Sequence, residues 1–258
     1  MRTTLLDTFQ ALRSSGKKAF AVLLDPDHVS VSEVPMLVAR MEAASVDFIL
    51  VGGSLIINRN IHELVPAFKS LTDIPIVLFP GSLTQIVETA DGILFLSLIS
   101  GRNPELLIGQ HVLAAPLLRK TELEIMPTGY MLIESGKSTT AHYISNTTPI
   151  PHDKPDIALC TAMAGEMLGL KYIYMDGGSG AEKCISEEMI QQVSRHVALP
   201  LIIGGGIREG ATARKIWQAG ADVVVIGNAF EQDKDGDLMQ EIARVKRQLN
   251  EEIRLKTN

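Results

Sequence analysis

Glycine-rich turns follow three successive apolar runs in the second half of the chain, and this pattern is typical of an anion site. The turns are Asp176 to Gly180, Gly204 to Gly206, and Gly227 with Asn228. Because glycine has no Cβ, its backbone N–H groups can approach a phosphate closely. Three consecutive units that end in this way favour one phosphate pocket. The alternative is that they are tight turns without a ligand, in which glycine is also common.

The first of these turns also carries side chains that could transfer a proton. Tyr172, Tyr174 and Asp176 alternate along the run, so in a strand they share one face. A carboxylate within reach of a substrate hydroxyl is a usable general base, and Ser179 adds a hydroxyl beside it. We predict Tyr174 and Asp176 as catalytic residues. In the alternative, Asp176 only caps a turn and Tyr172 is a core aromatic.

A second polar group follows the first two apolar runs of the chain. Asp25 and Asp27 follow the first run, and Ser54 follows the second. Mg²⁺ prefers oxygen ligands, keeps several waters and usually bridges to phosphate oxygens, so a carboxylate and a hydroxyl suffice for a diphosphate complex. The alternative is that Asp27 or Ser54 caps a helix.

The positions of the lysines, histidines and apolar loop residues limit the reactions that the site could carry out. No lysine lies within the apolar runs or directly after them, and the nearest is Lys171 at the start of one, which argues against Schiff-base chemistry. His28 stands next to Asp27, and we interpret the other five histidines as surface or structural residues. Apolar residues in 79–83 and 99–112 either pack loops onto helices or form a groove for a hydrocarbon tail.

Eight near-continuous apolar runs, most of them separated by helical patterns, predict parallel strands that are buried on both faces. Eight such units close into a (β/α)₈ TIM barrel of about 250 residues, here one α/β domain over 1–258. Residues 55–72, which contain Pro66, look irregular, the helix over 83–90 is short, and 134–155 reads as a loop. The strands are 19–24, 46–51, 75–79, 92–96 and 124–133, followed by the runs that begin at Lys171, Leu201 and Val223.

The composition excludes several classes of function. The chain has 258 residues, is 46% hydrophobic and carries a formal net charge of −6. It has no basic tract, so a nucleic-acid partner is not expected. Cys160 and Cys184 have no metal-type spacing and are typical of free thiols in a reducing cytoplasm. No secretory signal is recognised, and no apolar run approaches the roughly 20 residues that span a bilayer. We therefore expect a cytoplasmic protein.

Taken in order and with their spacing, these motifs resemble the geranylgeranylglyceryl phosphate synthase family over nearly the whole chain. The resemblance implies a barrel enzyme that joins a polyprenyl diphosphate, by family default geranylgeranyl, to the 3-hydroxyl of sn-glycerol 1-phosphate. It further implies Mg²⁺ as cofactor, a homo-oligomer, and transient contact with a membrane surface. The motifs are Asp25-Pro26-Asp27, Gly52-Gly53-Ser54, Pro80-Gly81-Ser82, residues 97–104 and 174–180, Gly204-Gly205-Gly206 and Gly227-Asn228.

The resemblance also implies roles by position. Asp25 and Ser54 would bind Mg²⁺. The glycerol phosphate site would be lined by Tyr174, Asp176, Gly177, Gly178, Ser179 and Gly180, and its phosphate would be held by Gly204, Gly205, Gly227 and Asn228.

Three positions depart from the family pattern. Where this chain has Asp176, the family often has glutamate, and where it has His28, lysine is common. One branch of the family has lysine at the position of Leu23. The leucine places this chain nearer the other branch, which includes larger assemblies. Rival interpretations are a flavin mononucleotide enzyme, a sugar-phosphate isomerase, or a binding protein for a phosphate ligand without catalysis.

Overall fold

Eight parallel strands pair in chain order and close into a barrel, because β8 pairs back with β1. The computed structural model describes residues 3–58, 60–233 and 235–257. The TIM-barrel prediction is confirmed. The strands are β1 (Ala19–Leu24), β2 (Phe48–Gly53), β3 (Ile76–Pro80), β4 (Gly92–Leu98), β5 (Glu124–Leu132), β6 (Tyr172–Asp176), β7 (Leu201–Gly204) and β8 (Val223–Ile226).

Helices cover most of the outer surface of the barrel, and α1 closes its N-terminal end. The Phe9 ring of α1 stacks on Phe48 at 4.6 Å and meets Tyr172 edge-on at 5.2 Å. No helix among the described residues has the length and apolarity needed to cross a membrane. The helices are α1 (Leu5–Ser15), α2 (Val34–Ala43), α3 (Ile61–Lys69), α4 (Gln110–Leu118), α5 (Thr140–Ser145), α6 (Pro155–Met167), α7 (Glu187–His196), α8 (Gly210–Ala219), α9 (Asn228–Gln232) and α10 (Asp237–Thr257).

The connection from β2 to β3 corrects one prediction. Residues 55–72 were expected to be irregular because of Pro66, but α3 forms there with Pro66 inside it. Proline removes one backbone donor from the helix. The apolar stripe outweighs that loss, because its members lie on one face of a helix and are buried against the barrel. The stripe consists of Ile61, Leu64, Val65 and Phe68.

The connection from β3 to β4 contains less helix than predicted. In place of a helix over 83–90 it has a three-residue 3₁₀ turn, Leu83–Gln85. Gln85 is 2% exposed, and its amide donates to the Gly53 carbonyl at 2.9 Å while its oxygen accepts from the Gly81 N–H at 3.1 Å. This buried side chain therefore fastens the ends of β2 and β3 together.

Near the C-terminal end of the barrel, the segment 134–155 and strand β6 can be compared with their predictions. The predicted loop 134–155 contains α5, which begins after Thr139. Along β6, Tyr172 and Tyr174 belong to the cluster that fills the barrel interior, and Asp176 is buried at the end of the same strand. The predicted alternation of β6 is confirmed, and Tyr172 is a core aromatic.

Candidate active site

Asp25 and Ser54 lie together because β1 and β2 pair in parallel, with Leu24 beside Val51. Asp25 Oδ2 lies 3.6 Å from the position that a Cβ on Gly53 would occupy. Asp25 and Ser54 both line a polar cavity at the C-terminal end of the barrel. Their predicted proximity is confirmed.

Asp27 has a different task from Asp25. Its two carboxylate oxygens accept the N–H groups of Ile57 and Asn58, each at 2.7 Å. The Asp27 side chain therefore holds the loop that follows Ser54. Of the two aspartates, it is Asp25 that lines the cavity.

The donor set at Asp25 and Ser54 fits an ion that brings most of its own ligands. The described residues include no group of three or more His, Cys, Asp or Glu side chains that could hold a metal. Mg²⁺ needs no such group, since one or two protein oxygens, several waters and substrate phosphates complete its shell. The site therefore suits Mg²⁺ together with a diphosphate rather than a closed structural metal centre.

The three glycine turns line the same cavity at the ends of β6, β7 and β8. The Gly177 N–H donates to the Gly204 carbonyl at 3.1 Å, which joins the ends of β6 and β7. Asn228 Oδ1 accepts from the Ser179 hydroxyl at 2.6 Å and from the Gly180 N–H at 3.2 Å, which joins the ends of β6 and β8. The sequence predicted one pocket from these turns, and they do lie side by side.

Gly205 needs its lack of a side chain. Its φ is +93°, and a Cβ there would lie 2.8 Å from the backbone N and Cα of Gly177. Because both contacts are backbone atoms, the turn itself would have to move to admit a methyl group.

Gly205→Ala is therefore expected to raise the KM for a phosphate-bearing substrate about tenfold or more and to lower the free energy of unfolding by about 1–3 kcal/mol. Steady-state kinetics and urea denaturation measure the two effects. Gly169→Ala is the matched control, because Gly169 has a φ of +87° but no atom within 4 Å of an added Cβ. If both variants keep the KM of the unsubstituted protein, the Gly205 turn does not contact the ligand.

Asp176 is buried at the bottom of the cavity and holds two hydrogen bonds. The Tyr130 hydroxyl donates to its Oδ2 at 2.6 Å, and the Gly178 N–H donates to its Oδ1 at 2.8 Å. Burial raises the pKa of Asp176, and these two donors oppose that rise because they favour the carboxylate. The Gly178 bond is the turn cap considered from the sequence, but the same carboxylate also lines the cavity.

Tyr174 and Tyr130 are neutral hydroxyl donors at this end of the barrel. Burial, followed by the charge of Asp176, raises the pKa of both tyrosines well above the usual value. The Tyr174 ring stacks on Phe79 at 5.2 Å and meets Tyr130 edge-on at 5.6 Å. The aromatic contacts fix the direction of both rings, and Tyr174 lines the polar cavity.

Reasoning from the sequence missed several residues of this region. Tyr130 lies directly opposite Tyr174 in the β5–β6 pairing, so strand register was the signal that could have found it. Tyr130 lines the apolar groove beside the cavity, and Lys137 and Arg208 line the polar cavity. His142, one of the histidines interpreted from the sequence as surface or structural residues, is buried, and this burial lowers the pKa of its imidazole.

His28 pairs with a carboxylate on the cavity edge. Its Nδ1 lies 3.0 Å from Glu231 Oε2, and the hydrogen bond and charge of Glu231 raise the pKa of this exposed histidine. The partner of the His28 ring is therefore a carboxylate of the same chain.

An apolar groove opens into the polar cavity. The two share Gly53, Ser54, Phe79 and Ala141 in their walls. The short β3–β4 connection and β4 form one side of the groove, and α4 forms the other. The apolar side chains from 79–83 and around 99–112 thus include groove-lining residues, as one of the two sequence interpretations held. The groove is lined by Phe79, Leu83, Ile86, Ile93, Phe95, Leu106, Ala114 and Leu118, among others.

The fold and the site define a class: a (β/α)₈ barrel whose polar cavity, bordered by three glycine turns, continues into an apolar groove. The PcrB family model matches residues 13–246, and the chain belongs to that family.

Named relatives agree with this placement. Geranylgeranylglyceryl phosphate synthase of Chitinophaga pinensis is 54% identical over 94% of this chain and 96% of the relative. The enzyme of the same name from Spirosoma linguale is 52% identical over 93% of this chain and 95% of the relative. A crystal structure of (S)-3-O-geranylgeranylglyceryl phosphate synthase from Thermoplasma acidophilum, in complex with its substrate sn-glycerol-1-phosphate, superposes with a TM-score of 0.90. It is 30% identical, over 96% of this chain and all of that one.

Proposed function

We propose that this protein is a Mg²⁺-dependent prenyltransferase that joins a polyprenyl diphosphate, geranylgeranyl by family default, to the 3-hydroxyl of sn-glycerol 1-phosphate. The product is an ether, and diphosphate is released. The single observation that carries the proposal is the junction of an apolar groove with a polar cavity at Ser54. A donor with a hydrocarbon tail and a diphosphate head, and an acceptor with a phosphate, match these two spaces.

The donor half of the reaction belongs to the groove and the ends of β1 and β2. Asp25 and Ser54 would hold Mg²⁺, which when bound neutralises charge on the leaving diphosphate. The apolar walls of the groove would take up the tail and keep water from the allylic carbon. Because the groove opens into the cavity where the two share Gly53, Ser54, Phe79 and Ala141, this carbon would lie near that shared wall, within the cavity that Asp25 and Asp176 line.

The acceptor half belongs to β6 and the three glycine turns. Gly177, Gly178, Ser179 and Gly180, with Gly204, Gly205, Gly227 and Asn228, would hold glycerol phosphate, so that its hydroxyl is positioned for attack. As the bond between the allylic carbon and the diphosphate oxygen breaks, a bond from the glycerol oxygen to that carbon forms. Asp176 accepts the hydroxyl proton, and Tyr174 orients the hydroxyl.

One assay separates this proposal from its rivals. We expect a lipid-extractable ether when the protein is incubated with Mg²⁺, labelled glycerol 1-phosphate and prenyl diphosphates of several lengths. A flavin enzyme would instead purify with a yellow flavin spectrum, and an isomerase or a binding protein would give no ether with any donor. A flavin enzyme or a sugar-phosphate isomerase gives no reason for a groove whose walls are mostly apolar, and the assay itself decides against a binding protein.

The groove also predicts a change in chain-length preference. Ala114 of α4 is buried in the groove wall, so Ala114→Phe is expected to lower turnover of the geranylgeranyl donor about tenfold or more while a shorter farnesyl donor is retained. Competition between the two donors measures the shift. Val112→Phe is the control, because Val112 lies on the same helix but is 63% exposed. Equal preferences in both variants would show that the tail does not lie along α4.

The expected assembly and location stay predictions. Apolar side chains on the outer surface of α4 support the predicted homo-oligomer, since Val112, Leu113 and Leu117 are each at least half exposed. A lipid donor supports the predicted transient contact of a cytoplasmic protein with a membrane surface.

A further inference from the structure

We propose that Lys137 binds the phosphate of the acceptor and supplies positive charge that the glycine turns lack. This inference deepens the proposed function and rests on it. Nothing in the sequence singled out Lys137, which lies in the segment that read as a polar loop between β5 and α6. Three features of the structure support the proposal: a fixed loop, the position of the ammonium group, and the balance of charge around the cavity.

The loop that carries Lys137 is anchored to the turn after β6. Ser135 is 1% exposed, and its hydroxyl donates to the Gly177 carbonyl at 2.7 Å. The Ser135 carbonyl accepts the N–H groups of Glu182 and Lys183, each at 3.0 Å. Hydrogen bonds on both sides of Ser135 therefore hold the backbone two residues before Lys137 against the predicted phosphate turn.

The ammonium group of Lys137 lies above that turn. Its Nζ is 3.5 Å from the position that a Cβ on Gly180 would occupy. Lys137 lines the polar cavity together with Ser179, Gly180 and Asn228. A phosphate that accepts hydrogen bonds from the turn would therefore lie within direct reach of Nζ.

The charges around the cavity leave Lys137 available for an anion. A phosphate monoester carries about −1.5 to −2 charges at neutral pH, whereas backbone N–H groups contribute only partial charges. None of the ion pairs between described residues includes Lys137. Arg208, the other cation of this wall, donates to the Ala181 carbonyl at 2.9 Å. On the β1 side, next to Gly227, stands the uncharged Leu23.

Lys137→Gln tests the proposal, because it keeps most of the side-chain length and removes the charge. We expect the KM and the calorimetric Kd for glycerol phosphate to rise about ten- to one-hundredfold, as for a charged hydrogen bond. At saturating glycerol phosphate, kcat is expected to stay within about threefold, and the KM for the prenyl diphosphate to stay unchanged. Lys137→Arg is expected to restore part of the affinity, since it returns the charge with a different geometry.

Lys183→Gln is the matched control. Lys183 is exposed on the neighbouring segment, does not line the cavity and gives the same change in net charge. An equal rise in Kd for both glutamine variants, or no rise in either, overturns the proposal. A rise only in the KM for the prenyl diphosphate also overturns it, because the lysine would then serve the donor.

Calorimetry separates this inference from the proposed function. If the unsubstituted protein makes no ether but binds glycerol phosphate with a Kd that depends on Lys137, the prenyltransferase proposal fails and the lysine proposal stands. If the protein makes the ether and Lys137→Gln binds glycerol phosphate normally, only the lysine proposal fails.

Discussion

Asp25→Asn is expected to lower kcat about a thousandfold while glycerol phosphate still binds. The substitution keeps the shape of the side chain and the oxygen that accepts the Asp27 N–H at 2.9 Å, but it removes the charge of a proposed Mg²⁺ ligand. Metal stabilisation of a transferring group contributes several kcal/mol, and about 1.4 kcal/mol changes a rate tenfold. The substitution should therefore slow turnover of the prenyl diphosphate and leave binding of glycerol phosphate intact.

The measurement is a Mg²⁺ titration of turnover, with glycerol phosphate binding followed by calorimetry. In Asp25→Asn we expect the Mg²⁺ concentration for half-maximal rate to rise together with the loss of kcat. Asp27→Asn is the control, since Asp27 holds the backbone of Ile57 and Asn58; its Mg²⁺ requirement should stay unchanged. Equal losses of turnover and of glycerol phosphate binding in Asp25→Asn would mean that Asp25 supports the fold instead.

Asp176→Asn is expected to lower kcat about a hundred- to ten-thousandfold, the range of general acid–base catalysis, without weakening the fold at neutral pH. Burial raises the pKa of Asp176 in the folded protein. The folded state thus prefers the protonated form, so the wild-type protein loses stability as the pH rises through this raised pKa. Asparagine carries no charge at any pH, so the variant lacks that loss.

Urea denaturation at several pH values measures this difference. Relative to the wild-type protein, Asp176→Asn should gain stability between the unfolded pKa of an aspartate, about 3.9, and the raised folded value. Above the folded value the gain should be constant. A variant that is less stable than wild type at pH 8 would show that the Asp176 charge is favourable in the fold, which contradicts the assignment of its raised pKa to burial.

Tyr130→Phe tests the proton-accepting role of Asp176. The Tyr130 hydroxyl favours the carboxylate, so its removal raises the pKa of Asp176 further and moves the acidic limb of kcat/KM to higher pH. Tyr172→Phe is the matched control, because the Tyr172 hydroxyl is buried without a hydrogen-bond partner among the described residues. If the acidic limb of the kcat/KM profile stays at the same pH in Tyr130→Phe, the limb reports a group other than Asp176.

Local patterns were sufficient for the barrel and for most of the proposed site. Apolar runs that end in glycine or aspartate predicted the strands, because a strand buried on both faces must be apolar throughout and its C-terminal turn need not be. Since parallel strands end at one rim, Asp25, Ser54 and the three glycine turns could be brought together from sequence order alone. The alternation along β6 placed Tyr174 and Asp176 on one side because the side-chain period of a strand is two.

Tertiary packing decided the remaining features. Pro66 suggested an irregular segment, yet burial of one apolar face makes α3 regular there. The groove depends on the short β3–β4 connection and on how α4 packs beside it, and neither is encoded in the local pattern of one segment. Tyr130 reaches the groove wall and Asp176 through strand register, and Lys137 reaches the cavity through the anchoring of Ser135 to Gly177. The sequence by itself therefore determined which strand ends carry the polar groups. Contacts between residues far apart in the chain decided which loop side chains join them, because a loop takes its position from the surface on which it packs.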